Sequence, residues 1–182
     1  MSLFNLSFFP RFLLIVLGIF SVLSLSACGY RPLYGAASAN PATEANLAAI
    51  EIAPLYERTG QILHTELGRR LYPRGGQAGI TTHILRITTT QSTTNLAVAK
   101  NTAATRANYR LNASYQLIRK SDQRPVLSNS IFSTISYNIL SSDYANTVAA
   151  KNARERAAMD ISEQLAQRMA IYFNAQENST AK

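Results

Sequence analysis

One thiol stands out among the groups able to do covalent chemistry. The chain of 182 residues has a single cysteine, Cys28, set in Leu25-Ser26-Ala27-Cys28-Gly29. With no second cysteine, a disulfide within the chain is excluded. A branched apolar residue and two small ones precede the thiol. They let an enzyme grip the backbone closely, and the sulfur is a nucleophile, so the suggested chemistry is gain of a covalent group on Cys28. Other chemistry is sparse. His64 and His83 have no Cys or His partner at metal-ligand spacing. There is no Gly-x-Ser-x-Gly elbow, Gly-rich phosphate loop or His-Glu-x-x-His. The ten acids are scattered without a suggestive pair. Neither catalytic residues nor a metal site is expected. The remaining candidates are basic. Arg119, Lys120 and Arg124 crowd a polar turn, and Arg106 and Arg110 share the polar side of the strand before it. Together they would present positive charge to phosphates. The competing reading is that they keep the domain soluble and discourage edge pairing.

The elements around Cys28 give it a context. Residues 12–25, FLLIVLGIFSVLSL, form an apolar run after Pro10 and Arg11. Its length of 14 residues is short of the roughly 20 a spanning helix needs and within the range of an export signal. The Leu-Ser-Ala-Cys order resembles the lipobox of bacterial lipoproteins. That resemblance implies residues 1–27 are a lipoprotein signal peptide and Cys28 becomes an N-terminus carrying a diacylglycerol and an N-acyl chain. Two or more chains anchor stably. In that family an Asp after the Cys commonly signals inner-membrane retention; Gly29 stands there, which implies outer-membrane sorting. Removing residues 1–27 takes away only Arg11, leaving 17 basic and 10 acidic side chains, a formal +7. Such a surface suits anionic lipid, lipopolysaccharide or an acidic partner, and export disfavours nucleic acid.

Behind Cys28 the chain changes character. Residues 28–46 are read as a lipidated N-terminal tether, the small polar AASANPATEAN segment holding the domain off the membrane. The domain is expected over 47–176, with 177–182 a flexible tail. Ile50 and Ile52 mark a short strand stopped by Pro54. Thr59 is expected to cap a helix in which Leu63, Leu67 and Leu71 form one stripe, ended by Pro73, Gly75 and Gly76. Three β segments follow, over 80–98, 105–119 and 126–140. The middle one alternates cleanly, with Ala107, Tyr109, Leu111, Ala113, Tyr115 and Leu117 on one side. The last two form a hairpin about the 120–125 turn. A long helix starts at Ser142 or Asp143 and carries a stripe from Ala153 through Ala157, Ile161, Leu165 and Met169 to Tyr172, fading near Gln176. One-faced strands and one-striped helices cover each other most simply as an α+β two-layer sandwich, a mixed four-stranded sheet under two helices in the order strand-helix-strand-strand-strand-helix.

The lipobox running into CGYRPLYG, and the block from Tyr144-Ala145-Asn146 into Ala153-Arg154-Glu155-Arg156, resemble the LptE family of lipopolysaccharide-assembly lipoproteins in its α-proteobacterial form. The resemblance implies a non-enzymatic outer-membrane subunit without a cofactor beyond its lipids. It implies a seat in the lumen of the LptD β-barrel, on the periplasmic side of the membrane, with roles in barrel assembly and in delivering lipopolysaccharide to the outer leaflet. It would make the basic hairpin tip the leading contact for lipopolysaccharide. A free-standing, lipid-anchored periplasmic carrier is the alternative.

Overall fold

Alternation in the central strand organises everything else. A computed structural model of the protein describes residues 41–72, 76–96 and 105–180. Residues 1–40, which hold the expected signal peptide, Cys28 and most of the expected tether, lie outside the described residues. Helix α1 (Pro41–Ala48) leads into strand β1 (Ile50–Ile52) and helix α2 (Arg58–Leu71). Strands β2 (His83–Leu96), β3 (Arg106–Arg119) and β4 (Pro125–Asn138) follow, and helix α3 (Asp143–Thr180) closes the series. The sheet order is β1-β2-β3-β4. β1 lies parallel to β2, and β2, β3 and β4 form an antiparallel meander. This is the mixed four-stranded α+β arrangement expected.

The strand parity divides the sheet into two faces. Ala107, Tyr109, Leu111, Ala113, Tyr115 and Leu117 are all buried, whereas Arg106, Arg110, Ser114 and Gln116 between them are exposed. Leu85 and Ile87 of β2 and Ile131 of β4 join the buried side. α2 meets it with Leu63, Leu67 and Leu71, and α3 with Ile161, Leu165 and Met169. Each fully buried Leu stabilises the fold by about 1.5–3 kcal/mol before entropy is counted. Ala153, Ala157, Ala158, Ala166 and Ala170 are also buried along α3, so that helix lies close to its neighbours. Arg70 Nε donates to Ser162 Oγ at 3.1 Å and ties α2 to α3. Gly60 is required by a similarly close approach: a Cβ there would stand 2.9 Å from the Cβ of Leu55.

Several boundaries differ from expectation. The sandwich has a third helix, α1, across residues read as tether. A proline is well tolerated in a helix's first turn, Leu47 is buried, and Thr43 and Asn46 donate to the Glu177 carboxylate at 3.3 and 3.4 Å. That same contact holds α3 in helix through Thr180, beyond the expected fade at Gln176. The α3 stripe ends on Phe173, four residues after Met169, and Tyr172 is only half-buried. Thr59 does not cap α2. The N-cap is Glu57, in extended backbone without a side-chain cap bond, while Thr59 sits buried inside the first turn and donates to Gln91 Oε1 at 3.4 Å. No described helix is long and apolar enough to cross a membrane.

Candidate functional site

The basic residues at the hairpin turn are largely committed to the fold. Lys120 follows β3 and its N–H donates to the Thr82 carbonyl at 2.9 Å. Its Nζ donates to Glu51 Oε2 at 2.5 Å and also to Thr81 Oγ1. The hydrogen bond and charge of Lys120 hold the Glu51 carboxyl below its ordinary value. This clamp fastens the short β1 to the β3–β4 turn across the start of β2. Arg119 Nη1 lies 3.4 Å from Asp122 Oδ2. The turn is closed by the Arg119 N–H donating to the Arg124 carbonyl at 3.0 Å. Gln123 takes a left-handed φ of 56°. Arg124 is exposed at the tip.

Arg106 and Arg110 belong elsewhere. They lie toward the opposite end of β3, on the face that no described helix covers. At ~3.3 Å per residue, Arg106 and Arg119 are about 43 Å apart along the strand. The five basic residues therefore form two separate groups, one at the turn and one on the open side of β3. Arg110 has its own setting. Its Nε donates to Asn112 Oδ1 at 3.1 Å, and its Cζ sits 3.9 Å from the centroid of the Phe132 ring. That is a cation–π distance. Phe132 is 54% exposed, so this pair forms an amphipathic spot amid hydroxyls and amides. The cross-strand rows here are Thr88–Ser114–Ser130, Thr90–Asn112–Phe132 and Thr94–Asn108–Ser136. Ser136 Oγ donates to Asn108 Oδ1 at 2.7 Å.

A cleft of about 470 Å³ opens where the start of α2 meets β2, β3 and α3. Arg58, Lys151 and Arg154 stand on its walls, and Gln91 and Tyr109 form its floor. Tyr109 Oη donates to Gln91 Oε1 at 2.8 Å, and burial pushes its hydroxyl pKa up. Lys151 Nζ is 3.9 Å from Glu155 Oε1. The sequence reading missed this site because Arg58 and Arg154 are distant in the chain. Its one signal was Gln91, an amide at a position whose parity matches Leu85 and Ile87. Glu57 and Glu155 also line the cleft, so it offers charges of both signs, hydroxyls and an amide to a polar ligand.

The two histidines sit on different elements. His83 packs edge-on against Phe173, with centroids 5.3 Å apart. Burial, helped by the Arg119 charge, lowers its pKa. His64 is half-buried on α2. Among the described residues no three metal-ligating side chains come together.

Residues 46–172 match a family model described as LptE, lipopolysaccharide-assembly. No curated protein sequence matches the chain. Among solved structures, a Caulobacter crescentus protein described as a lipoprotein is similar at a TM-score of 0.60 and 20% identity, covering 74% of this chain and 96% of that one. A minor lipoprotein from Acinetobacter baumannii gives 0.54 at 17% identity, covering 68% of this chain and 89% of that one. Lipoprotein B from Nitrosomonas europaea gives 0.55 at 12% identity, covering 69% and 84%. At these identities the likeness speaks for the shared fold.

Proposed function

The chain belongs to the LptE lipopolysaccharide-assembly family, and on that premise we propose that it is the lipoprotein subunit of an outer-membrane lipopolysaccharide translocon. It is non-enzymatic in this reading. Lipids on Cys28 anchor it, and its domain sits in the lumen of an LptD-type β-barrel, which it plugs and helps to assemble. There it aids insertion of lipopolysaccharide into the outer leaflet.

The observation that carries this reading is the face of the sheet that no described helix covers. Three fourteen-residue strands present rows of Ser, Thr and Asn there. Such a face is too polar for a second hydrophobic layer, yet a hydrated interface inside a larger protein suits it. Arg106 and Arg110 on that face, and Arg124 at the turn, are the contacts proposed for lipopolysaccharide phosphates. Arg119 and Lys120 also stay in that set, although Asp122 and Glu51 partly compensate their charge.

The test is recovery of tagged full-length chain from outer membranes in mild detergent, with the co-purifying protein quantified by mass spectrometry. A large barrel in near one-to-one amount is expected. A chain recovered alone, with the barrel intact in the same membranes, overturns the subunit reading. It would favour the free-standing carrier, for which the cleft between α2 and α3 is the supporting observation.

A further inference from the structure

β4 is an edge strand among the described residues, and its sequence lacks the usual guards. Its sequence, PVLSNSIFSTISYN, holds no charged residue, and its single proline is at the first position. Natural sheets blunt exposed edges with charges, prolines, bulges or covers, because a free row of N–H and C=O groups templates pairing with another strand. Here the register with β3 runs without shift from Leu127 to Asn138, so the edge is also regular.

The direction of its free backbone groups can be read from two hydrogen bonds. The Ile139 N–H points inward, donating to the Thr105 carbonyl at 3.0 Å. The Ser130 N–H instead donates to the side chain of its neighbour Asn129 at 2.8 Å. Odd-numbered residues thus face β3 and even-numbered ones turn outward. The outward N–H groups of Phe132, Thr134 and Ser136 have no partner among the described residues. Alongside them lies a groove of about 410 Å³ between β4 and α3, lined by Tyr137, Ala149, Asn152, Glu155, Arg156 and Met159. Met159 is 42% exposed there. A free edge beside a helix-walled groove is the geometry in which an extended peptide adds to a sheet, main-chain bonds giving affinity and the groove reading alternate side chains.

We propose that the outer edge of β4 receives an extended, uncharged segment of the partner polypeptide as a fifth strand, with one apolar side chain of that segment seated in the groove beside Tyr137 and Met159. The chemistry of the occupant follows from the site: an extended backbone matches the alternating donors and acceptors in register, and a strand without charges calls for none opposite. The identity of the partner as the barrel rests on the function proposed above.

A proline at position 134 tests this. Thr134 is exposed, and its N–H is not used within the sheet, so proline is tolerated at that edge position. Full-length Thr134→Pro and Thr134→Ala chains would be compared with wild type for thermal unfolding, for sedimentation, and for co-purification with the barrel from outer membranes. Amide exchange would be read at Phe132 and Ser136. All three chains are expected to stay folded. Thr134→Pro should lose barrel association by roughly tenfold, the factor set by one desolvated backbone bond, while Thr134→Ala should not. Exchange at Phe132 and Ser136 should slow only in the complex. Wild-type and proline chains binding the barrel equally well, with those amides still exchanging freely, would overturn strand addition and leave the subunit reading intact. Wild-type failing to bind the barrel would instead sink the subunit reading. A wild-type dimer dispersed by the proline would show that a second copy, not a partner, occupies the edge, and would overturn the proposal as stated. If Thr134→Pro unfolds, methylation of the same N–H in a semisynthetic chain gives the same comparison.

Discussion

The two sides of β3 share one backbone and meet opposite surroundings. Leu111 is fully buried in the core, while its neighbour Arg110 lies in the open against Phe132. Shifting a strand's register by one residue would exchange these environments completely, so burial of one side fixes where the other points. The covered side therefore serves as the ruler that sets the polar rows, and the open side is free to be chosen for contact rather than stability.

That contrast can be broken most forcefully from the covered side. Leu111→Ala should cost about 2–5 kcal/mol, and Ser114→Ala on the open side should stay within about 0.5 kcal/mol. Urea unfolding of the two variants measures the difference, and equal losses would mean that the open side is itself packed. A smaller effect with the opposite sign is expected at Ser133. This residue faces the covered side, is buried, and its hydroxyl has no partner among the described residues. Ser133→Ala should leave stability unchanged or raise it by about 1 kcal/mol, because an unmet buried hydroxyl is removed. A loss in the same unfolding assay would mean that the hydroxyl has a bridging partner.

The gentlest test concerns the clamp between Glu51 and Lys120. A carboxyl whose folded pKa is lowered contributes its stability fully above its unfolded value and loses it as pH falls through the folded one. Wild type should therefore weaken more steeply than Lys120→Met as pH drops below the ordinary carboxylate value. His83 acts in the same direction at higher pH. Its folded pKa lies below the ordinary 6.5, so protonation favours the unfolded chain as pH falls below that value. Thermal melts over pH 3–8 measure both, and parallel profiles for the two chains would remove the Glu51 assignment.

What could be read in the sequence follows from how local its causes are. The alternation of β3 and the Leu63-Leu67-Leu71 stripe are set by neighbours a few residues apart, and both stand in the structure as read. α1 escaped notice because the carboxylate that holds it, Glu177, is more than a hundred residues away in the chain. Thr59 looked like a cap, yet its hydroxyl is spent on Gln91 of β2, a partner visible only after folding. The spacing of the basic residues was hard to read for a related reason. Their closeness in sequence on both sides of one strand hid the length of that strand, which separates Arg106 from the turn.

The meeting of α1 and α3 at Glu177 has a consequence for how the chain can be rewired. The first and last described helices sit side by side, so a short linker could join residues 180 and 41 without crossing the sheet. A domain whose first and last elements lie close together tolerates circular permutation. New ends cut at the exposed Asp122–Gln123 turn would leave every described helix whole. They would also free Gln123 from its left-handed backbone.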